Sequence, residues 1–151
     1  MNRIIVFLSF FLLLFLQSCV EKEGYYDYGQ EKTISLLTRS KWERKYHAKL
    51  DNGTEMDIHD IYIFYKDGRG TYQTKTVYMD GKIDDNTSYF HWSFTTPNFQ
   101  IIYMDYPLFW EIRQLTETKL SIIETYRDPI TEPGQHYREY YEYVSVKKNG
   151  V

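Results

Sequence analysis

Three glycine turn signals set the rhythm of this chain. Asp51-Asn52-Gly53, Lys66-Asp67-Gly68 and Asp80-Gly81-Lys82 each interrupt a short run of alternating apolar and polar residues. Asn-Gly and Asp-Gly between such runs are the strongest short-range hairpin signals, because the turns whose twist matches two antiparallel strands need positive φ. Further breaks fall at Thr96-Pro97-Asn98, Pro107, Thr116-Glu117, Asp128-Pro129 and Pro133-Gly134. The punctuation predicts eight strands, over residues 41–50, 57–65, 71–79, 87–95, 99–106, 108–115, 118–126 and 136–147. No gap is long enough for a crossover helix, so the sheet is expected to be antiparallel and in sequence order. Ile34, Leu36 and Leu37 stand at helix-like spacing and predict one short helix over 33–40.

A meander of eight strands leaves two open edges unless the first pairs with the last. Closure into an up-and-down barrel is therefore the expected all-β fold, with a β-sandwich as the alternative. The composition agrees: 16 Tyr, 9 Phe and 3 Trp supply strand-forming rings that bury large areas. Even-numbered positions collect the apolar residues: Trp42, Tyr46, Ala48 and Leu50, then Ile58, Tyr62 and Phe64, then Phe90, Trp92 and Phe94. Trp110 and Ile112, and Leu120, Ile122 and Tyr126, continue the face. Glu43, Lys45, His47, Glu111, Arg113, Lys119 and Ser121 lie opposite. Strands three, five and eight alternate less cleanly, and a bulge is expected in the eighth.

The N-terminus carries a different message. Arg3 precedes a stretch over 4–16 that is apolar except for Ser9, and Leu16-Gln17-Ser18 leads into Cys19, the only cysteine. A basic start, a short apolar core and small residues at the cut describe a secretory signal peptide. Thirteen residues are too few for a membrane span, which needs roughly 20. The segment resembles the lipobox of a bacterial lipoprotein. That resemblance implies cleavage before Cys19 and a diacylglyceryl thioether with an acylated amine at Cys19, a membrane anchor of several chains. Plain secretion is the alternative. Glu21 and Glu23 are similar to the surface-export signal of Bacteroidetes lipoproteins.

The expected organisation is thus a signal peptide over 1–18, a lipidated tether over 19–30 and a barrel domain over 31–151. A flexible tether of that length reaches roughly 15–20 Å. With its one cysteine committed to lipid, the domain has none left for a disulfide. The formal net charge is −3 and becomes one unit more negative without Arg3, so nucleic acid is excluded as a partner.

A short helix leading to Trp42, the Phe64 to Asp67-Gly68 hairpin, Tyr72, the Phe90-His91-Trp92 strand and the hairpin from Ile112 through Leu115-Thr116 to Leu120 go together. In this combination the chain resembles the lipocalin-like lipoproteins of Bacteroidetes over about residues 33–147. Ser40 stands where such chains usually have glycine. The resemblance implies an outer-membrane lipoprotein, on the periplasmic or surface face. Its eight-stranded lipocalin-like barrel would bind a small apolar or amphipathic ligand, or serve as an interaction subunit of an outer-membrane protein complex.

Charges on the inward face are the sharpest site candidates, since burying an unpaired charge costs several kcal/mol. Arg44, Glu124 and Arg138 fall on the first, seventh and eighth strands, neighbours in a closed barrel. They would form a structural ion-pair cluster at the mouth or meet a ligand's polar group. Tyr62, Trp92 and Trp110 complete the inward candidates, and Tyr140 joins them through Arg138-Glu139-Tyr140, which resembles the Arg-x-Tyr carboxylate clamp of fatty-acid-binding barrels. Tyr137, Tyr140, Tyr141 and Tyr143 offer a stacking platform or simply good strand formers.

A hairpin centred on Asn52-Gly53 brings His47 near His59, but His47, His59, His91 and His136 show no metal spacing. Asp84-Asp85-Asn86 reads as a turn. No GxSxG elbow and no phosphate-cradling glycine loop is present, so neither an enzyme nor a cofactor is expected.

Overall fold

The computed structural model describes residues 30–148. The signal segment, Cys19 and all of the expected tether except Gln30 lie outside them. Helix α1 (Gln30–Thr38) turns Ile34, Leu37 and Thr38 inward. It sits about three residues earlier than the apolar spacing suggests. Ser40 is already strand, paired with Lys147, so the helix must end before it. The Thr38 hydroxyl donates back to the Ile34 carbonyl at 2.8 Å, satisfying one acceptor of the last turn. Gln30 is buried and belongs to the domain rather than to a tether.

The strands are β1 (Ser40–Lys49), β2 (Glu55–Phe64), β3 (Arg69–Tyr78), β4 (Ile83–Phe94), β5 (Ile101–Met104), β6 (Leu108–Leu115), β7 (Lys119–Thr125) and β8 (Glu139–Lys147). They form a closed barrel in sequence order, every neighbour antiparallel, with β8 returning to β1. The expected eight-stranded up-and-down barrel with a short N-terminal helix is therefore the observed fold, and the sandwich is excluded. The three turn glycines, Gly53, Gly68 and Gly81, sit at φ +85°, +81° and +86°, where an L side chain is strained.

Strand limits depart from expectation in three places. β4 starts at Ile83, because the Asp80-Gly81 turn lets Tyr78 bond Lys82 at once, so Asp84, Asp85 and Asn86 are ladder residues opposite Thr76, Lys75 and Thr74 rather than a turn. β5 keeps only four residues; just before it Phe99 adopts φ +59° and breaks the extended run. β8 begins at Glu139, not at residue 136. The register shift lies in β6 between Ile112 and Gln114, not in β8. It makes Arg113 the extra residue and carries Leu115 opposite Leu120, where it packs on the core. β8 needs no bulge because its inner residues are simply the odd ones: Tyr143 faces Leu120 and Tyr141 faces Ile122.

The ladders are uneven. β1–β2, β2–β3 and β3–β4 run for nine register pairs each, whereas β4–β5 has three and β1–β8 four. In an up-and-down barrel the chain enters β1 at one end, and α1 lies there with Ile34 and Leu37 in the core beside Trp42 and Phe64. The Trp42 indole donates to the Leu37 carbonyl at 2.8 Å and locks the helix across this end. Above that seal the axis is filled by rings. Phe64 meets Phe90, Trp92 and Trp110 at centroid distances of 5.5, 5.6 and 5.7 Å, and Trp110 stacks on Tyr143 at 5.2 Å. Edge-to-face geometry dominates, which aromatic quadrupoles favour.

Candidate functional site

The opposite end is made by the β1–β2 and β3–β4 turns, the short β5–β6 turn and the β7–β8 loop, and here the inner face changes from hydrocarbon to tyrosine and carboxylate. Arg44 is the first β1 residue beyond the β1–β8 ladder. The Asn52-Gly53 hairpin sets Asp60 directly opposite it, and the guanidinium donates to the Asp60 carboxylate at 2.9 Å. Asp60 is 3% exposed and accepts a second bond, from the Tyr72 hydroxyl at 2.9 Å. The guanidinium lies 4.0 Å from the centre of the Tyr141 ring and 4.3 Å from that of Tyr46. Its Nε is buried without a partner among the described residues. Burial works against the Arg44 charge, but the Asp60 hydrogen bond and nearby charges outweigh it and its pKa is raised.

Glu124, the penultimate residue of β7, holds the other side of the rim. It accepts the Trp110 indole N–H at 2.9 Å and the Tyr137 hydroxyl at 2.8 Å. Tyr137 and Tyr141 hydroxyls are 3.3 Å apart. A phenol has one proton, and that of Tyr137 is spent on Glu124, so Tyr141 is the donor in this contact. One polar chain therefore runs from Asp60 through Arg44, the Tyr141 ring and Tyr137 to Glu124. Beneath it Tyr62 stacks on Tyr72 at 4.4 Å and meets Trp110 at 4.5 Å, while the Tyr106 hydroxyl reaches that of Tyr62. Burial raises the pKa of Tyr62, Tyr72, Tyr137 and Tyr143, and pushes Tyr106 up to about 12. These phenols are neutral hydrogen-bonding groups well past neutral pH.

Of the sequence-derived candidates, Arg44, Tyr62, Trp110 and Glu124 come together at this mouth. Trp92 lies toward the sealed end, where its indole donates to the carbonyls of Tyr65 and Arg69 at 3.2 and 3.0 Å. Arg138 and Tyr140 are corrected: both belong to the outer face. Arg138 pairs with Glu111 at 3.1 Å, and Tyr140 is 55% exposed and bonds Glu142. The odd phase of β8 turns them out, so no Arg44–Glu124–Arg138 cluster and no Arg138-x-Tyr140 clamp forms. Tyr46 and Leu50 lie on the expected inward face but past the closed ring, and are 38% and 50% exposed. Tyr126 is also exposed and stacks on Tyr137 at 4.2 Å.

Asp60 was not among the candidates, although the sequence carried its signal. It is the lone carboxylate on the even face of Ile58, Tyr62 and Phe64, and a hairpin about Asn52-Gly53 sets it against Arg44. His47 and His59 do not meet as a pair: His47 contacts Asp57 at 3.0 Å and His59 contacts Glu43 at 2.9 Å. No group of three metal-ligating side chains exists among the described residues. Outside the barrel, a groove of about 490 Å³ is lined by Tyr65, Arg69, Tyr89, His91 and Asp105.

Fold and site together define a class of protein: an up-and-down β-barrel sealed at one end by its N-terminal helix and open at the other through a rim of tyrosines and carboxylates. Compared with known proteins, the chain matches no family model, no curated protein and no solved structure.

Proposed function

We propose that this protein is a non-enzymatic, lipid-anchored lipoprotein of the cell envelope whose barrel binds a small amphipathic molecule at its open end. One observation carries the reading: a hydrogen-bonded rim of Arg44, Asp60, Tyr72, Tyr137, Tyr141 and Glu124 stands directly above a floor of packed rings. Such a surface suits a guest with an apolar body and one polar group, because few converging polar groups over apolar walls fix orientation. The filled axis restricts that guest to the mouth. With Cys19 as anchor, the tether joins the barrel on its sealed side, opposite the proposed binding end.

The direct test is mass spectrometry of what co-elutes with the purified protein after exposure to a cell-envelope extract. A compound enriched by the native chain and lost on Tyr141→Ala is the expected result. No enriched compound refutes the reading. The anchor is tested separately: Cys19→Ala should move the protein from the membrane to the soluble fraction. A second reading, an interaction subunit, is favoured by Tyr89, which is 80% exposed beside the outer groove. A constant crosslinked partner that is lost on Tyr89→Ser, with no small molecule retained, would decide for it.

A further inference from the structure

The rim is not electrically balanced. Arg44, which faces inward, is matched by Asp60. Glu124 receives only neutral donors, the Trp110 indole and the Tyr137 phenol, and among the described residues no basic side chain lies within ion-pair distance of it. An ionised carboxylate offers about four lone-pair positions, and two of them are taken here. Glu124 is only partly buried and stands near the end of β7 at the rim. Trp110 and Tyr137 turn their N–H and O–H edges to it, while their faces are stacked on Tyr143 and Tyr126.

The geometry points to Glu124 as the recognition group for a cationic head: the guest of this barrel is an amine, a primary or methylated ammonium carried on a short apolar body. This deepens the proposed function and rests on it, since it names the chemistry of the guest at that same mouth. An ammonium group completes the Glu124 carboxylate with charge-assisted hydrogen bonds. A carboxylate head meets the reverse situation. It finds Glu124 unopposed, and to reach Arg44 it must displace the Asp60 carboxylate already bonded at 2.9 Å. A neutral head keeps the apolar contacts and lacks the ionic one.

Three probes sharing one tail separate these terms: hexylamine, hexan-1-ol and hexanoate, titrated into the full-length chain by calorimetry. The Trp110 indole N–H resonance in 15N spectra reports occupation of the site. Hexylamine is expected to bind about tenfold to a hundredfold more tightly than hexan-1-ol, the range a charge-assisted hydrogen bond supplies, with hexanoate weakest. In Glu124→Gln, whose amide oxygen still accepts from Trp110 while its NH2 meets the Tyr137 hydroxyl, which turns to accept, that preference should vanish while hexan-1-ol binding stays. An unchanged circular dichroism spectrum confirms the fold of the variant. Equal binding of amine and alcohol, a preference for hexanoate, or an amine preference surviving in Glu124→Gln overturns the assignment and leaves the mouth as a binding site. If none of the probes moves the Trp110 resonance, the reading of the mouth falls as well.

Discussion

Replacing Gly70 with alanine tests how tightly the floor beneath the rim is packed. Gly70 on β3 pairs with Phe90 on β4, and the far edge of the Phe90 ring occupies the place of the missing side chain. A Cβ built there would stand 2.3 and 2.4 Å from two ring carbons and 3.0 Å from the Ile63 carbonyl oxygen. Carbon atoms rest at about 3.5–4.0 Å, so the ring must retreat by more than about 1 Å. Its way back is closed by Phe64, Tyr106 and Tyr62, whose centroids are 5.5, 5.8 and 6.1 Å away. Overpacking of this kind costs about 2–3 kcal/mol. For a domain of this size that is a fall in Tm of about 6–15 °C, read by thermal or urea denaturation.

The reasoning also fixes the cure. Phe90→Ala alone should cost about 3–5 kcal/mol, but in that background Gly70→Ala should be neutral or stabilising by up to about 1 kcal/mol, since glycine inside a strand is entropically costly. The double-mutant cycle therefore yields a coupling of about 2 kcal/mol or more. If Gly70→Ala lies within about 0.5 kcal/mol of wild type, the floor is looser than described and the restriction of a guest to the mouth loses its basis.

Asp60→Ala strands the Arg44 guanidinium and the Tyr72 hydroxyl together and should cost about 3–5 kcal/mol in urea denaturation, with Arg44→Met/Asp60→Leu recovering much of it. The raised pKa values of Tyr62, Tyr72 and Tyr143 mean that the folded state keeps protons that the unfolded chain releases near pH 10. Their contribution is fully present below pH 10 and is lost as pH rises above it. Each should lower stability by about 1.4 kcal/mol per pH unit there, and phenolate absorbance should rise in a late step coincident with unfolding. Lys148 donates to the carbonyls of Thr38 at the end of α1 and Phe64 at the end of β2, at 2.6 and 3.1 Å. Lys148→Ala should loosen the helix first, seen as faster amide exchange in α1 with the barrel ladders unchanged.

The fold was legible because its determinants are local. Gly53, Gly68 and Gly81 name three turns outright, and Trp42, Tyr62, Phe64, Phe90, Trp92, Trp110, Leu120 and Ile122 follow the period of two that a strand imposes. The site was legible only in part, since register is a property of pairs of strands. One extra residue at Arg113 shifts β6, and β8 settles on its odd phase against Trp42 and Leu120. Nothing within β8 itself states that phase, so Arg138 and Tyr140 exchanged places with Tyr141 and Tyr143. Asp60 shows the converse: its partner is set by a turn only eight residues away, so careful counting would have reached it.

The unequal ladders have a mechanical consequence. Nine-pair ladders bind β1 to β4 into one slab, while only three pairs at β4–β5 and four at β1–β8 stitch that slab to the rest. Local opening follows the weakest hydrogen-bonded boundary. Both stitches lie low in the wall, so the tall slab overhangs the rim with its upper β1 and β4 edges unpaired. Above the β1–β8 ladder the wall is closed by side chains alone, the Arg44 guanidinium over the Tyr141 ring, so the rim is the part of the barrel whose integrity rests on the same groups that form the candidate site.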